Sequence, residues 1–406
     1  MDTMKKVSII LVMLCVLCFS LSSRASAVEI LESGYCGGEG DGTNLSYTLD
    51  SDGKLTISGT GRMADWEYSS SSYPHSPWYG SSSISELVIE DGVTTIGDGA
   101  FALFYIGNSR LSVSLPSSVV SIGAGSFYNN YSIETVTLRQ GLKSIGKDAF
   151  YNAGINRLTM PDSVESVGYE AFCDSGIRTL KLSAGLRSLP GQCFYGTKIT
   201  TLTIPAQLTD ISYTAFSNCV NLTTITVEEG NPAYSSYNGC LYDADKTALL
   251  KVPMSTGGSF SVPATVRTIG NYAFNGCESM TSVSLPAGLE SIGSGAFYRC
   301  EGLTGITLPE TLTSIGSSAF LNCSGLTEIV IPDSVTSIGD SAFSGCGALS
   351  YVRLPSGLRT LPAFAFDSCA SLTAITLPDE IDTIRRCAFR KTGLTEITIP
   401  DSVINL

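Results

Sequence analysis

The sequence predicts a β-rich solenoid, a right-handed stack of coils with one short parallel strand per 22–23-residue repeat and a β-hairpin cap at the N-terminus. Three observations predict it. A phenylalanine ending an Ala-Phe-like pair recurs at Phe101, Phe127, Phe150, Phe172, Phe194, Phe216, Phe274, Phe297, Phe320, Phe343, Phe366 and Phe389, at intervals of 26, 23, 22, 22, 22 and 58, then 23 five times. Ahead of these phenylalanines runs a short segment of alternating Leu/Ile/Val and Thr/Ser that in nine of the twelve units ends at or near a proline. The 406 residues are 43% apolar and only 15% charged, with 41 glycines, which suits a folded, turn-rich chain and excludes a disordered one. Periods of 20–29 residues with Leu/Ile at L-x-x-L-x-L spacing are those of a leucine-rich repeat solenoid.

One unit, Leu303 to Gly325, shows the division of labour. Leu303, Ile306 and Leu308 are its apolar strand positions, and alternate residues of a strand point to opposite faces. Pro309 lacks an N–H and ends the strand. Ile315-Gly316 and Ala319-Phe320 supply a second apolar wall, with glycine where the chain turns. One coil cannot bury both walls. Stacked coils can, each strand pairing with the next at about 4.8 Å, so that twelve coils span roughly 55–60 Å with the phenylalanines in one continuous internal stack.

The rest of the chain is read around this array. Residues 1–27 form a secretory signal peptide: Lys5 and Lys6, the apolar run Val7 to Phe19, and the A-x-A site Ala25-Ser26-Ala27. The run is too short for a spanning helix, and cleavage leaves no membrane-inserting segment. Residues 28–83 are the cap. Leu45, Tyr47 and Leu49 alternate before Asp52-Gly53, with Leu55 and Ile57 after it, a hairpin with a tight turn rather than a calcium loop, since no glutamate follows at the required position. Trp66, Trp78, Tyr68, Tyr73, Tyr79 and His75 gather nearby and either pack the cap onto the first coil or bind sugar or peptide, with packing preferred. Repeats occupy 84–227 and 263–406. The long interval between them leaves a hairpin insertion at 228–262, with strands at Gly239–Tyr242 and Ala248–Pro253. Asp401 to Leu406 repeat the pattern of Asp333 to Ile338 and stop before the next Ala-Phe, which predicts an open C-terminal coil able to self-associate.

Cys219, Cys277, Cys300, Cys323, Cys346 and Cys369 each lie three residues after their repeat's phenylalanine. Parallel, in-register side chains aim their Cβ atoms poorly for a disulfide, so the column is read as reduced and buried. No C-x-x-C pair occurs and the single histidine is His75, which argues against a zinc site and against Ser-His or Cys-His catalysis; no cofactor, metal or catalytic residue is expected. The formal charge of −13, becoming −15 once Lys5, Lys6, Arg24 and Asp2 leave with the signal peptide, excludes the basic footprint of a nucleic-acid binder.

The units ending I-G-x-x-A-F-x-x-C, the strands ending in L-P or I-P, and the interruption Asn231 to Pro253 resemble the BspA-type leucine-rich repeat family of bacterial surface proteins, from about Ile84 to the C-terminus. Gly34 to Met63 resembles the leader found before such repeats. Leu189-Pro190 and Leu361-Pro362 depart from the Ile-Gly step, and several middle units are one residue shorter. The resemblance implies an exported, non-catalytic protein, secreted or held at the cell surface, that attaches through its solenoid sheet to a host matrix protein, a glycan or another cell. The rival reading is a structural spacer or assembly component of the envelope without a specific ligand. The outward strand columns are mostly threonine. Glu328, Tyr351 and Arg353, on adjacent coils, bring an aromatic ring and both signs of charge and are the candidate ligand-binding residues.

Overall fold

The structure, a computed structural model, describes residues 28–68, 76–79, 81, 84–103 and 110–405. The signal-peptide reading, Tyr73 and His75 lie outside the described residues. Strands and turns build the described chain, and no helix among the described residues is long and apolar enough to cross a membrane.

Most coils hold two strands, one more than the repeat pattern predicts. The first is the expected alternating segment: Ile133–Thr137, Arg157–Thr159 and Thr179–Lys181 pair in parallel, as do Glu328–Val330 and Tyr351–Arg353. The second is the dipeptide before the glycine, such as Ser291–Ile292 and Ser314–Ile315, each pairing in register with its counterparts in both neighbouring coils; the ladder breaks between Ser166–Val167 and Ser188–Leu189 and between Ser337–Ile338 and Thr360–Leu361, where Pro190 and Pro362 replace the glycine and supply no N–H. Two residues are too few to show alternation in one repeat, so this sheet is visible only once the coils are stacked. The Ala-Phe step adds a third line of coil-to-coil bonds. Phe297 N–H donates to the Ala319 carbonyl at 2.7 Å and Phe320 N–H to that of Ala342 at 2.7 Å. Reaching it takes two left-handed residues per coil, as at Ser318 (φ 56°) and Asn322 (φ 60°), which is why glycine, Asn, Asp and Ser crowd those positions.

The phenylalanines lie inside, in two stacks rather than one. Trp78, Phe101, Phe127, Phe150, Phe172, Phe194 and Phe216 follow one another at 5.0–5.4 Å between ring centroids. Phe274, Phe297, Phe320, Phe343, Phe366 and Phe389 form the second stack at 4.7–6.1 Å. The insertion separates them and the hydrophobic core divides there as well. It is a three-stranded antiparallel meander, Tyr234–Tyr237, Cys240–Asp243 and Ala248–Lys251, rather than a two-stranded hairpin. Its last strand turns parallel to Thr268–Ile269 and starts the second sheet anew. The meander thus stands where a repeat coil would, without a phenylalanine to join the two stacks.

At the N-terminus, Ile30–Tyr35, Leu45–Asp50 and Lys54–Gly59 form an antiparallel sheet. Asp50 closes the turn, its Oδ1 accepting the N–H groups of Asp52 at 3.0 Å and Lys54 at 2.9 Å. Lys54–Gly59 then pairs in parallel with Glu86–Ile89, and Gly61–Arg62 with Val93–Ile96, so this segment supplies the starting edge of both solenoid sheets. Trp78 is buried, stacks on Phe101, donates its Nε1–H to the Ala100 carbonyl at 2.8 Å, and meets Tyr47 and Trp66 edge-on.

The cysteine column has a hydrogen-bonding job. All eleven described cysteines are free thiols and only Cys387 is exposed. Cys219, Cys300, Cys323, Cys346 and Cys369 each donate Sγ–H at 3.0–3.2 Å to the carbonyl of the phenylalanine one coil earlier. Asn130, at the same slot after Phe127, does this through Nδ2 to the Phe101 carbonyl at 2.7 Å. The slot takes a small side chain facing inward, Ala153 in one coil and Ser175 in the next, and a thiol adds apolar bulk and a donor there.

Candidate binding surface

The outward residues of the first strand ladder form the largest regular exposed face. Thr135, Thr137, Thr201, Thr203, Ser282, Ser284 and Thr307 are all exposed, while Val136, Leu202 and Val283 between them are buried. Hydroxyl pairs tie neighbouring coils, such as Thr135 to Ser112 at 2.8 Å and Ser282 to Ser259 at 2.8 Å. Such a face is wetted and rich in hydroxyls, with the exposed cations Arg157 and Lys181 on two paired strands.

The sequence-predicted residues also interrupt that hydroxyl-rich face. Glu328 sits directly opposite Tyr351 in the parallel register, and Val330 opposite Arg353. All four are exposed, the tyrosine at 53% and Val330 at 43%, while Ile329 and Val352 between them are buried and fix the strands to the core. The structure therefore brings Glu328, Tyr351 and Arg353 onto one face of two adjacent coils. Glu328 and Arg353 do not pair with each other. Arg353 donates from Nη2 to Asp333 Oδ2 at 2.9 Å, and Asp333 Oδ1 accepts the Ser356 N–H at 2.8 Å. The Ser356 amide and the neighbouring guanidinium hold the Asp333 carboxyl below the usual carboxylate range.

Asp333 is the residue that reading the strands alone misses. It lies in the turn after Pro332 and becomes Arg353's partner only when the coils stack, twenty residues apart in sequence. Beside the pair a recess of about 620 Å³ opens, lined among others by Tyr351, Arg353, Ser356, Thr376, Pro378 and Glu380. An aromatic ring, an oriented guanidinium and acidic groups around a shallow recess can hydrogen-bond and stack on a polar partner. Among the described residues no cluster of His, Cys, Asp and Glu could hold a metal ion.

The comparisons with known proteins bear on the fold. The family model described as BspA type leucine-rich repeat region (6 copies) matches residues 71–153, 102–223, 256–356 and 291–406. No curated protein matches the chain. Among solved structures, a leucine-rich repeat protein from Eubacterium ventriosum is 26% identical, with 90% of this chain and 97% of that one covered and a TM-score of 0.66. A leucine-rich cell surface protein from Faecalibacterium prausnitzii is also 26% identical, over 91% of this chain and all of its own, at a TM-score of 0.58. The pneumococcal vaccine antigen PcpA shares the fold at 20% identity, 90% and 100% coverage and a TM-score of 0.65. With a family model covering most of its length and a two-sheet solenoid to match, the chain belongs to the BspA-type leucine-rich repeat family of bacterial surface proteins.

Proposed function

We propose that the protein is exported through residues 1–27, cleaved after Ala27, and works as an adhesin, its strand face binding a protein or glycan at Glu328, Tyr351 and Arg353. The observation that carries the reading is the local break in a threonine face. On two paired strands an exposed tyrosine, an acid and an arginine anchored by Asp333 stand together, and Tyr351 and Arg353 border a recess of about 620 Å³. Aromatic residues and arginine are the side chains most enriched where surfaces meet partners, and Asp333 reduces the entropy that Arg353 loses on binding. The similar Faecalibacterium protein, described as a cell surface protein, supports the location. The test is a binding screen of the mature chain against immobilised matrix proteins and glycans, repeated with Tyr351→Ala/Arg353→Ala. Saturable binding that falls at least about tenfold in the double variant supports the reading, since two central contacts of this kind commonly carry more than 1.4 kcal/mol together. A screen with no saturable partner, or a partner indifferent to both substitutions, overturns it, and the envelope-spacer role then stands.

A further inference from the structure

The insertion leaves a gap in the stack of coils. The second sheet stops at Asp210–Ile211, and on the far side of the gap it resumes at Ala248–Lys251. The Ile211 N–H, which would otherwise bond to the next coil, instead donates to the Tyr234 hydroxyl at 2.9 Å. Phe216 has a stacked ring on one side only. Between these edges lies a cavity of about 610 Å³, lined by Leu202, Ile211, Phe216, Ile225, Leu250 and Lys251 among others. Its size falls within the range of cavities that hold small organic molecules, and its wall is mainly apolar.

Lys251 is the exception in that wall. Alternation along Ala248–Lys251 turns Leu249 and Lys251 inward, and the lysine is 7% exposed. An ammonium has three donors. The one hydrogen bond found for it is long, from Nζ to the Tyr272 carbonyl at 3.5 Å, and it takes part in none of the ion pairs among the described residues. The titratable groups that act on it are the thiols of Cys277, Cys219 and Cys300, which burial keeps protonated and which therefore supply no counter-charge. Burial without a partner lowers the lysine's own pKa. A buried, under-satisfied amine on the wall of a mostly apolar cavity is costly unless something completes it.

We infer that this cavity binds a small organic monocarboxylate, its apolar body against Leu202, Phe216, Ile225 and Leu250 and its carboxylate paired with the Lys251 ammonium. A neutral apolar molecule would leave the amine incomplete. A phosphate or dicarboxylate would bring a second charge that the single lysine cannot match. One negative charge on an apolar body satisfies both parts of the wall. The inference uses no residue of the Glu328 surface, so either can fail without the other.

The test is calorimetric titration of the mature protein at pH 7 with octanoate and, as its uncharged counterpart, 1-octanol. Octanoate is expected to bind at least about tenfold more tightly than octanol, a difference of about 1.4 kcal/mol. Lys251→Met is expected to erase that difference while octanol binding stays within about twofold. Leu250→Trp, which fills the cavity without touching the amine, is expected to abolish binding of both. Absence of octanoate binding to the wild type, equal affinity for octanoate and octanol, or octanoate binding unchanged in folded Lys251→Met each overturns the inference. Should Lys251→Met not fold, the wild-type comparison together with Leu250→Trp still decides it.

Discussion

Replacing Phe320 by alanine tests the internal stack on which the solenoid depends. The ring is fully buried, 5.0 Å from Phe297 and 5.3 Å from Phe343, tilted 6° and 7° from them. Its backbone is held on both sides: its N–H bonds to Ala342, and its carbonyl accepts the Cys346 thiol. Two parallel sheets fix the spacing of the coils, so the flanking rings cannot close over the void. The full cost of an uncollapsed Phe→Ala cavity applies, roughly 3–5 kcal/mol. Phe216 supplies an internal control. It has one stacked neighbour and already borders the cavity at the insertion, so Phe216→Ala enlarges an existing space and falls at or below the lower end of that range. Thr307→Ala, on the exposed face, stays within about 0.5 kcal/mol. Guanidinium unfolding of the three variants, followed by circular dichroism, should rank their midpoint losses Phe320 above Phe216 above Thr307. Equal shifts for Phe320→Ala and Thr307→Ala would refute the inward stack, and a larger loss at Phe216 than at Phe320 would refute the reasoning from fixed coil spacing.

Other consequences are open to direct measurement. Cys323→Ala removes the 3.0 Å thiol donor from the Phe297 carbonyl, which keeps the Cys300 N–H at 3.1 Å, and should cost about 0.5–1.5 kcal/mol, with Cys323→Asn recovering part of it as Asn130 does at the equivalent slot; denaturation midpoints decide. Thiol titration with a colourless-to-coloured disulfide reagent at pH 8 should read one reactive group in the native mature protein, Cys387, and eleven in denaturant. Burial raises the Cys323 and Cys369 thiols to about 12, so the unfolded chain releases those protons first as pH rises above about 9; their stabilisation is complete below that pH and is lost between about 9 and 12, each thiol adding about 1.4 kcal/mol per pH unit to an alkaline unfolding that Cys→Ala at both positions makes shallower. Lys251 has the opposite sign. Its folded pKa lies below its unfolded one, so it costs stability increasingly as pH falls, and Lys251→Met should raise the melting temperature at pH 6 by more than at pH 9.

What the sequence conveys and what it hides divide along a physical line. A feature repeated many times needs little from any single repeat: the Ala-Phe step, the alternating strand and, in six coils, the Cys slot each follow from a local rule and recur in phase. Features that arise between coils leave no such trace. The Ser-Ile dipeptide is two residues long, too short to display a period, yet the second sheet is built from it. Asp333 meets Arg353 across a coil boundary, a pairing set by the stacking register and by no motif in either segment. The same holds at Ala248–Lys251, where alternation marks Lys251 as inward but only the missing coil beside it turns that position into a cavity wall.

The insertion shows why such a departure persists in an otherwise regular array. A solenoid's stability is close to a sum of coil and neighbour-interface contributions, so a weak interface lowers the total without unravelling coils on either side. Between Phe216 and Phe274 the chain loses one ring contact and one second-sheet pairing and carries an incompletely satisfied lysine. The meander offsets part of that loss through its own antiparallel pairs and through Tyr242, which is fully buried in the second core. Regular coils on both sides can absorb the remainder because each adds a buried phenylalanine, worth roughly 1.5–3 kcal/mol on transfer from water. An array built this way can hold one interface open, and the open interface is where a small molecule finds space that close-packed coils do not leave.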